Sequence, residues 1–550
     1  MGSSFPIAYN HTTCNIRNPI LSKMLQVLMM QNSELPLVFL WIAITTIILI
    51  VIVSLRKARS KSESPRLPPG PRGLPVVGYL PFLRNDLHRQ FTDLAKVYGP
   101  IYKLWLGRKL FVVINTPWLA RQVLRDQDVT FANRSPTIGA TIGTMGGQDI
   151  VFSDYNEGWR KRRKLFVTEM LSKASLEDCS HVLKQQVRQM VTNVRNNDIG
   201  KPIDVGLLAS TTIMNTIMSL IWGDTLETIV GTKNIQAEYR VIVKKYLSLF
   251  AKPNISDFFP FLACFDLQGL ERKMKLASQK CEDIIDIGID HCIKTMKEEK
   301  NNGDKSKIRR RTNFLRILLE LTNNDGSKSL ALPEIKGILM NTLTGGADTI
   351  TSTVEWAMAE LLNNPIAMSK AQQELKSLIP KNDIVFDPSN LPHLAYLNAI
   401  IKETLRLHPP APFLVPHCPN ATTTLNGYIV PTDTTVFINL FAIQMNPTIW
   451  GEDAKQFVPE RFLDGKASEV DWSGKWFQFI PFGSGRRICP GMVLAERVMV
   501  TVLATMLYWF KWRLPEGEVV DHGDEYGILI KKSKSLIAIP TPKFAGLEPH

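Results

Sequence analysis

The segment Phe482–Gly491 reads FGSGRRICPG and holds a single cysteine, Cys489. Arg487 stands two residues before it, and Pro490 and Gly491 follow at once. A helix-like apolar stretch begins directly afterwards. A thiolate that binds a metal needs a tight turn whose backbone N–H groups point at the sulfur, and it gains from a helix N-terminus beside it. Arg487 would add a cation for an acidic group on a cofactor. A thiolate ligand to haem iron pushes electron density onto the metal and favours O–O cleavage. The competing reading is a surface loop around an inert structural cysteine. The spacing F-x-x-G-x-R-x-C-x-G speaks against it, because Phe482, Gly485, Arg487, Cys489 and Gly491 occupy their places together.

A second constellation lies in the long helical pattern from Leu332 to Asn364, which ends before Pro365. Gly345-Gly346-Ala347-Asp348-Thr349 interrupts it. Each glycine inside a helix costs about 1 kcal/mol relative to alanine. That cost points to close approach by something flat, or to a local opening of the helix. A carboxylate and a hydroxyl follow, the parts of a proton relay. Splitting dioxygen consumes two protons: Thr349 would hold a water, and Asp348 would feed protons from solvent. The alternative is a helix-crossing notch. Ile350 follows Thr349 and Thr351 comes next, so the hydroxyls that order the relay water stay open.

Two charge patterns are ambiguous alone. Glu403 and Arg406 share a helix face at i and i+3, which on a surface is a solvated pair. Trp159-Arg160-Lys161-Arg162-Arg163-Lys164 reads first as a nuclear-localisation or nucleic-acid patch. Trp159 and Arg163, at i and i+4, again share one face.

These residues need a large scaffold. The chain has 550 residues, 45% hydrophobic and 21% charged, with a net charge of +14. Length is a soft prior for three or four domains, but no linker divides the chain after residue 75 and no repeat is visible. One large, mainly α domain with small β-sheets is expected over 76–550. The basic residues lie in short runs between apolar helices without aromatic interleaving. They suit a membrane surface or an acidic protein partner better than nucleic acid, and no nucleic-acid role is expected. Seven cysteines without paired spacing are no disulfide framework, and they fit a reducing compartment.

Residues 37–55, LVFLWIAITTIILIVIVSL, carry no charge and as a helix would span roughly 28 Å, a transmembrane anchor. A buried core helix and a cleaved signal peptide are the alternatives; the stretch is long and starts late for the latter. Arg56, Lys57, Arg59, Lys61 and Arg66 follow it. The positive-inside rule then puts the C-terminal bulk in the cytosol, in a single-pass topology. Residues 1–36 become a lumenal tail, with the sequon Asn10-His11-Thr12 on the lumenal side. Met24, Met29 and Met30 are alternative starts. Residues 56–75 form a basic, proline-rich hinge. Pro68, Pro69, Pro71 and Pro75 cannot continue a helix and make a stiff spacer.

The cysteine loop resembles the haem-binding signature of the cytochromes P-450. The hinge, W-R-x-x-R-K, G-G-x-D-T, K-E-T-L-R-L-H-P and F-x-P-E-R-F precede it in that family's order, so the resemblance spans about residues 65–545. It implies that Cys489 is the axial ligand to the iron of haem b. It implies that Trp159, Arg163, Arg487 and His417 meet the haem propionates, and that Phe482 and Gly491 of the loop also bind the haem. An ordinary loop histidine is the other reading of His417. Glu403, Arg406 and Arg461 would form a buried network that fixes the loop. Asn341, Gly345, Phe413, Leu414, Val415, Ile528 and Leu529 would line the substrate pocket, or else simply fill the core. Some cations of the 160–164 run would meet an acidic redox partner.

The wording resembles plant microsomal members that act on specialised metabolites, with a slighter similarity to terpenoid and flavonoid hydroxylases. A lipophilic substrate, O2, membrane lipid and location in the endoplasmic reticulum membrane are implied. No dinucleotide or phosphate loop appears, so NADPH and flavins would serve through a separate NADPH-cytochrome reductase. Two other functions stay open. A reductase-independent haem-thiolate isomerase or dehydratase would need no relay at Asp348 and Thr349. A non-catalytic haem protein would bind ligand or scaffold other enzymes without turnover.

Overall fold

The computed structural model describes residues 41–42, 44–46, 48, 66–231, 235–250, 252–302, 313–322, 330–378, 393–464 and 467–544. The tail 1–36, most of the expected anchor 37–55 and hinge residues 56–65 lie outside the described residues. Within the anchor, Trp41, Ile42 and Ile48 are helical and exposed. Among the described residues two other helices, Val205–Trp222 and Met492–Trp509, are long and apolar enough to span a bilayer, but most of each is buried in the protein.

The hinge is not wholly a free spacer. From Pro68 onward it lies along a strand: Lys103 N–H donates to the Pro69 carbonyl (2.7 Å) and Lys103 Nζ to that of Pro68 (2.6 Å). A Cβ at Gly70 would sit 2.1 Å from the Lys103 carbonyl oxygen, so only glycine permits this approach.

The architecture is mainly helical. The principal helices are α1 (Glu157–Leu165), α2 (Lys173–Asn197), α3 (Val205–Trp222), α4 (Leu270–Asn302), α5 (Leu332–Asn363), α6 (Ala395–Leu407) and α7 (Met492–Trp509). Helix α5 crosses the middle and packs on α3, α4, α6 and α7. It is buried on several sides, as its apolar residues all round the helix require. Its glycine pair does not interrupt it. A Cβ at Gly346 would come 3.0 Å from Ile217 of α3, whereas one at Gly345 would meet nothing within 4 Å. One glycine lets two helices close; the other faces open space.

The sheets are small. Strand β1 (Ile101–Leu106) pairs antiparallel with β2 (Lys109–Ile114), and β2 pairs parallel with β3 (Thr435–Ile438). Late in the chain β4 (Asp524–Tyr526) and β5 (Ile530–Lys532) form a hairpin. Another three-stranded sheet joins Ile203–Asp204, Ile537–Pro542 and Phe510–Arg513, the last running straight on from α7.

Candidate active site

The cysteine loop is held by geometry that its glycines alone allow. Gly483 and Gly485 take φ of +75° and +66°. A Cβ at Gly485 would lie 1.9 Å from the Leu124 carbonyl oxygen. Cys489 N–H donates to the Phe482 carbonyl (2.9 Å), which closes the loop just before α7. The Cys489 side chain is exposed, but it lies in a recess. The surrounding protein pushes its thiol pKa up, opposed by the Gly491 N–H and the Arg163 charge. Phe482 packs edge-on to Trp472.

Buried charge anchors this loop from behind. Glu403 and Arg406 of α6 are fully buried. Glu403 accepts from Arg406 Nε (2.6 Å) and Nη2 (2.8 Å), from Arg461 Nε (2.9 Å) and from Val458 N–H (2.9 Å). Arg406 also donates to the Gln444 and Ala454 carbonyls, and Arg461 to those of Trp450 and Asp453. The Arg406 guanidinium lies 5.3 Å from the Trp450 ring centre, and Trp450 and Phe462 both pack on Phe479, three residues before Phe482. The three charged residues therefore come together and lead to the loop through aromatic contacts.

On another side cations gather. Asn156 caps α1 by accepting from Trp159 N–H (2.8 Å), which turns Trp159 and Arg163 toward the loop. Arg163 Nη2 donates to the Ile488 carbonyl (2.5 Å). Arg487 donates to the Ala132, Ile150 and Ser153 carbonyls and lies 4.3 Å from the Trp159 ring centre. Trp159 Nε1 donates to the Ile150 carbonyl (2.9 Å).

A further arginine, absent from the sequence-level expectation, joins them. Arg134 is buried, and its guanidinium donates to the Val151, Val415 and Pro416 carbonyls. Among the described residues none of these three arginines has a carboxylate within ion-pair distance. Burial first, and then their neighbours' charge, lowers the pKa of Arg134 and Arg487, the latter to about 10. The charges of Asp149 and Asp154 offset this only in part, and buried cations without full compensation are costly. The cluster is suited to a ligand that brings anionic groups.

His417 is buried at this site with Nδ1 2.8 Å from the Phe131 carbonyl. Burial and the Arg134 charge push its pKa far down, so the ring is neutral. Donation from Nδ1 leaves Nε2 as an acceptor. Arg134 lies beside it as a further donor at the same site. Arg162, expected among the free cations of α1, is buried instead, bonded to Glu334 (2.9 Å) and Gln148 (3.1 Å).

On α5, Thr349 Oγ donates to the Gly345 carbonyl (2.8 Å), beside the open space at Gly345. Asp348 is paired with Lys531 of β5. Ile350 is core, and Thr351, about 200° round the helix from Thr349, has a buried hydroxyl with no partner among the described residues. Asn341 Oδ1 accepts from Ile150 and Val151 N–H (3.0 and 3.3 Å), which fixes the turn that receives Trp159 and Arg487.

A cavity of about 220 Å³ is lined by Phe91, Phe111, Phe413, Val415, Phe437 and Ile528, among others, with Leu414 also in its wall. Leu529 is not in that lining. The surface is mostly apolar and aromatic.

The chain matches the family model for cytochrome P450 over residues 68–539. It belongs to the cytochrome P450 family. It is 34% identical over 509 residues to a flavonoid 3',5'-hydroxylase of Solanum melongena, spanning 92% of this chain and 96% of that one. It is 35% identical to a flavonoid 3'-monooxygenase of Arabidopsis thaliana (92% and 98%) and 34% identical to a carnosic acid synthase of Rosmarinus officinalis (86% and 93%). A zebra fish cytochrome P450 solved with abiraterone shares the fold, with a TM-score of 0.67, 23% identity, and coverage of 83% of this chain and all of that one. This P450 is therefore a monooxygenase related to plant flavonoid hydroxylases and a carnosic acid synthase, and the family implies a haem cofactor.

The site's own chemistry fits that cofactor. It offers one accessible thiol, a group of arginines without a directly paired carboxylate among the described residues, and an empty flank at Gly345.

Proposed function

We propose that this P450 hydroxylates or epoxidises a lipophilic plant metabolite of terpenoid or flavonoid type, with O2 and with NADPH-derived electrons from a separate reductase. The observation that carries the reading is the pairing of a recessed thiol with Arg134, Arg163 and Arg487. Haem b, when bound, supplies dioxygen activation. Cys489 is its iron ligand. Arg163 and Arg487 hold its carboxylates together with Arg134, and Trp159 orients both Arg163 and Arg487. Glu403, Arg406 and Arg461 keep the loop rigid.

Substrate enters the aromatic-lined cavity, where apolar walls exclude water and bind a ring system through its faces. Thr349 holds a water on the open side of α5; its hydroxyl hydrogen is on the Gly345 carbonyl, so its lone pairs remain to accept. Asp348 passes protons inward. The domain is tethered by residues 37–55 to the endoplasmic reticulum membrane and faces the cytosol.

Microsomes holding the chain and a plant reductase, given NADPH and a panel of flavonoids and terpenes, test this. Formation of a product one oxygen heavier, dependent on both NADPH and reductase, is expected. Conversion without either would favour an isomerase. Protease added to sealed microsomes is expected to digest the catalytic domain, and its protection would overturn the topology.

A further inference from the structure

We infer that the substrate is a glycoside: its lipophilic part fills the aromatic cavity, and its sugar occupies a second, polar pocket beside it. The inference rests on the reading proposed above, that the aromatic cavity takes the lipophilic part of the substrate. The second pocket has a volume of about 620 Å³, within the usual range of small-molecule sites. Pro136 and Phe152 line both cavities. Phe152 stacks on Phe250 of the aromatic cavity, with ring centres 5.6 Å apart and planes at 29°. A ligand that extends beyond the first cavity therefore meets the second at Phe152.

The two pockets differ in chemistry. The second is built mainly from hydroxyl, amide, carboxylate and guanidinium groups. Its floor is fixed by Arg162, whose side chain is only 5% exposed. Arg162 donates through Nε to the Asp149 carbonyl (3.2 Å) and through Nη1 to Gln148 (3.1 Å) and Glu334 (2.9 Å). Its Nη2 donates to none of the described residues, so that nitrogen is left for a ligand. At the rim, Asp154 Oδ1 accepts from Arg134 N–H (3.0 Å), which fixes that carboxylate. Glu157, the first residue of α1, is exposed there and has no partner among the described residues.

These groups select the kind of ligand. Asp154, Glu157 and Glu334 face a single guanidinium, so the pocket is negative in sum and disfavours a phosphate or a carboxylate. No group of three metal-binding side chains occurs among the described residues, which speaks against a metal ion. A sugar brings no charge to desolvate. Its hydroxyls donate to the carboxylates and accept from Arg162. Its apolar ring face packs on Phe152, the residue through which the two pockets adjoin.

Equilibrium dialysis on the holoprotein, without reductase or NADPH, tests this by binding alone. The probes are two matched pairs: apigenin with its 7-O-glucoside, and menthol with menthyl glucoside. At least one glucoside is expected to bind about tenfold more tightly than its aglycone, the gain of one or two net hydrogen bonds. Thr141→Trp fills the polar pocket from its exposed rim. It is expected to cancel that gain and to leave aglycone affinity within about twofold, because separate sites act independently. Glu157→Ala removes one acceptor and is expected to cut the gain about threefold. If aglycones bind but no glucoside binds more tightly, or if the gain survives Thr141→Trp, the polar pocket is a solvent-filled hollow only. The inference is then overturned, and the aromatic cavity keeps its role. Where Thr141→Trp also weakens the aglycone, Glu157→Ala decides, and an undiminished gain overturns the inference. If neither aglycone nor glucoside binds, the reading of the aromatic cavity fails and the inference fails with it.

Discussion

Replacing Glu403 with glutamine keeps its shape and removes one charge at the centre of the buried network. The carboxylate accepts four hydrogen bonds, three of them from guanidinium nitrogens at 2.6–2.9 Å. In Glu403→Gln one oxygen becomes an NH2 group that faces donors. Arg406, fully buried, is left as a cation without a carboxylate, while Arg461 keeps only Asp453 at 3.2 Å. Removing one partner of a buried ion pair costs about 3–5 kcal/mol. That is a large share of the 5–15 kcal/mol that separates folded from unfolded states. With an unfolding entropy of about 1 kcal/mol per degree for a domain of this size, the midpoint should fall by roughly 3–5 °C at fixed scan rate. The drop should be accompanied by earlier loss of haem, because the network leads through Trp450 and Phe479 to the cysteine loop. Calorimetry and the haem absorbance, followed in the same heating scan, check both. A midpoint within about 1 °C of wild type would show that the network is not holding the loop.

Thr349→Ala should leave haem content and substrate binding intact but divert electrons to peroxide, so that product per NADPH falls. General acid–base help of this kind is worth about 10²–10⁴-fold, and a replacing water keeps the loss at the lower end; unchanged coupling would remove Thr349 from the relay. Gly485→Ala should prevent stable haem incorporation, since the new Cβ meets the Leu124 carbonyl and the backbone stays left-handed; recovery of a wild-type holoprotein would contradict this. His408 stacks on Trp356 at 3.8 Å and contacts Glu360 at 2.7 Å, and burial lowers its pKa below the usual 6.5. The unfolded chain therefore binds the proton more readily, and stability contributed by neutral His408 is lost as pH falls below about 6.5. Denaturant titrations should show that slope, with His417 adding to it in the same direction, and His408→Gln should flatten it.

The cysteine loop was legible because local sequence dictates it: two glycines at positive φ, a nearby arginine and a following helix all fall within ten residues. Glu403, Arg406 and Arg461 could be named from their motifs, though spacing alone left Glu403 and Arg406 as a solvated pair. Burial makes the difference, and burial is a tertiary fact. Arg134 was missed because it is a lone arginine in a loop, and its partners are carbonyls up to 282 residues away. Lys531 was missed for the same reason, since a three-residue strand gives no periodic signal that it will meet α5. Arg162 read as a free cation because a run of basic residues conceals which one points inward; its burial depends on Glu334, distant in sequence. Asn341 was named for the substrate pocket by its family position; that its Oδ1 also accepts from the turn at 150–151 is a tertiary contact that the helix pattern does not show.

The central claim is that Cys489 carries the haem as a thiolate, and the reduced carbon monoxide spectrum tests it most directly. The purified chain should give the strongly red-shifted band that thiolate ligation produces, and Cys489→Ala, folded to the same extent by circular dichroism, should lack it. Retention of that band in Cys489→Ala, or a wild-type holoprotein that never shows it, would contradict the account.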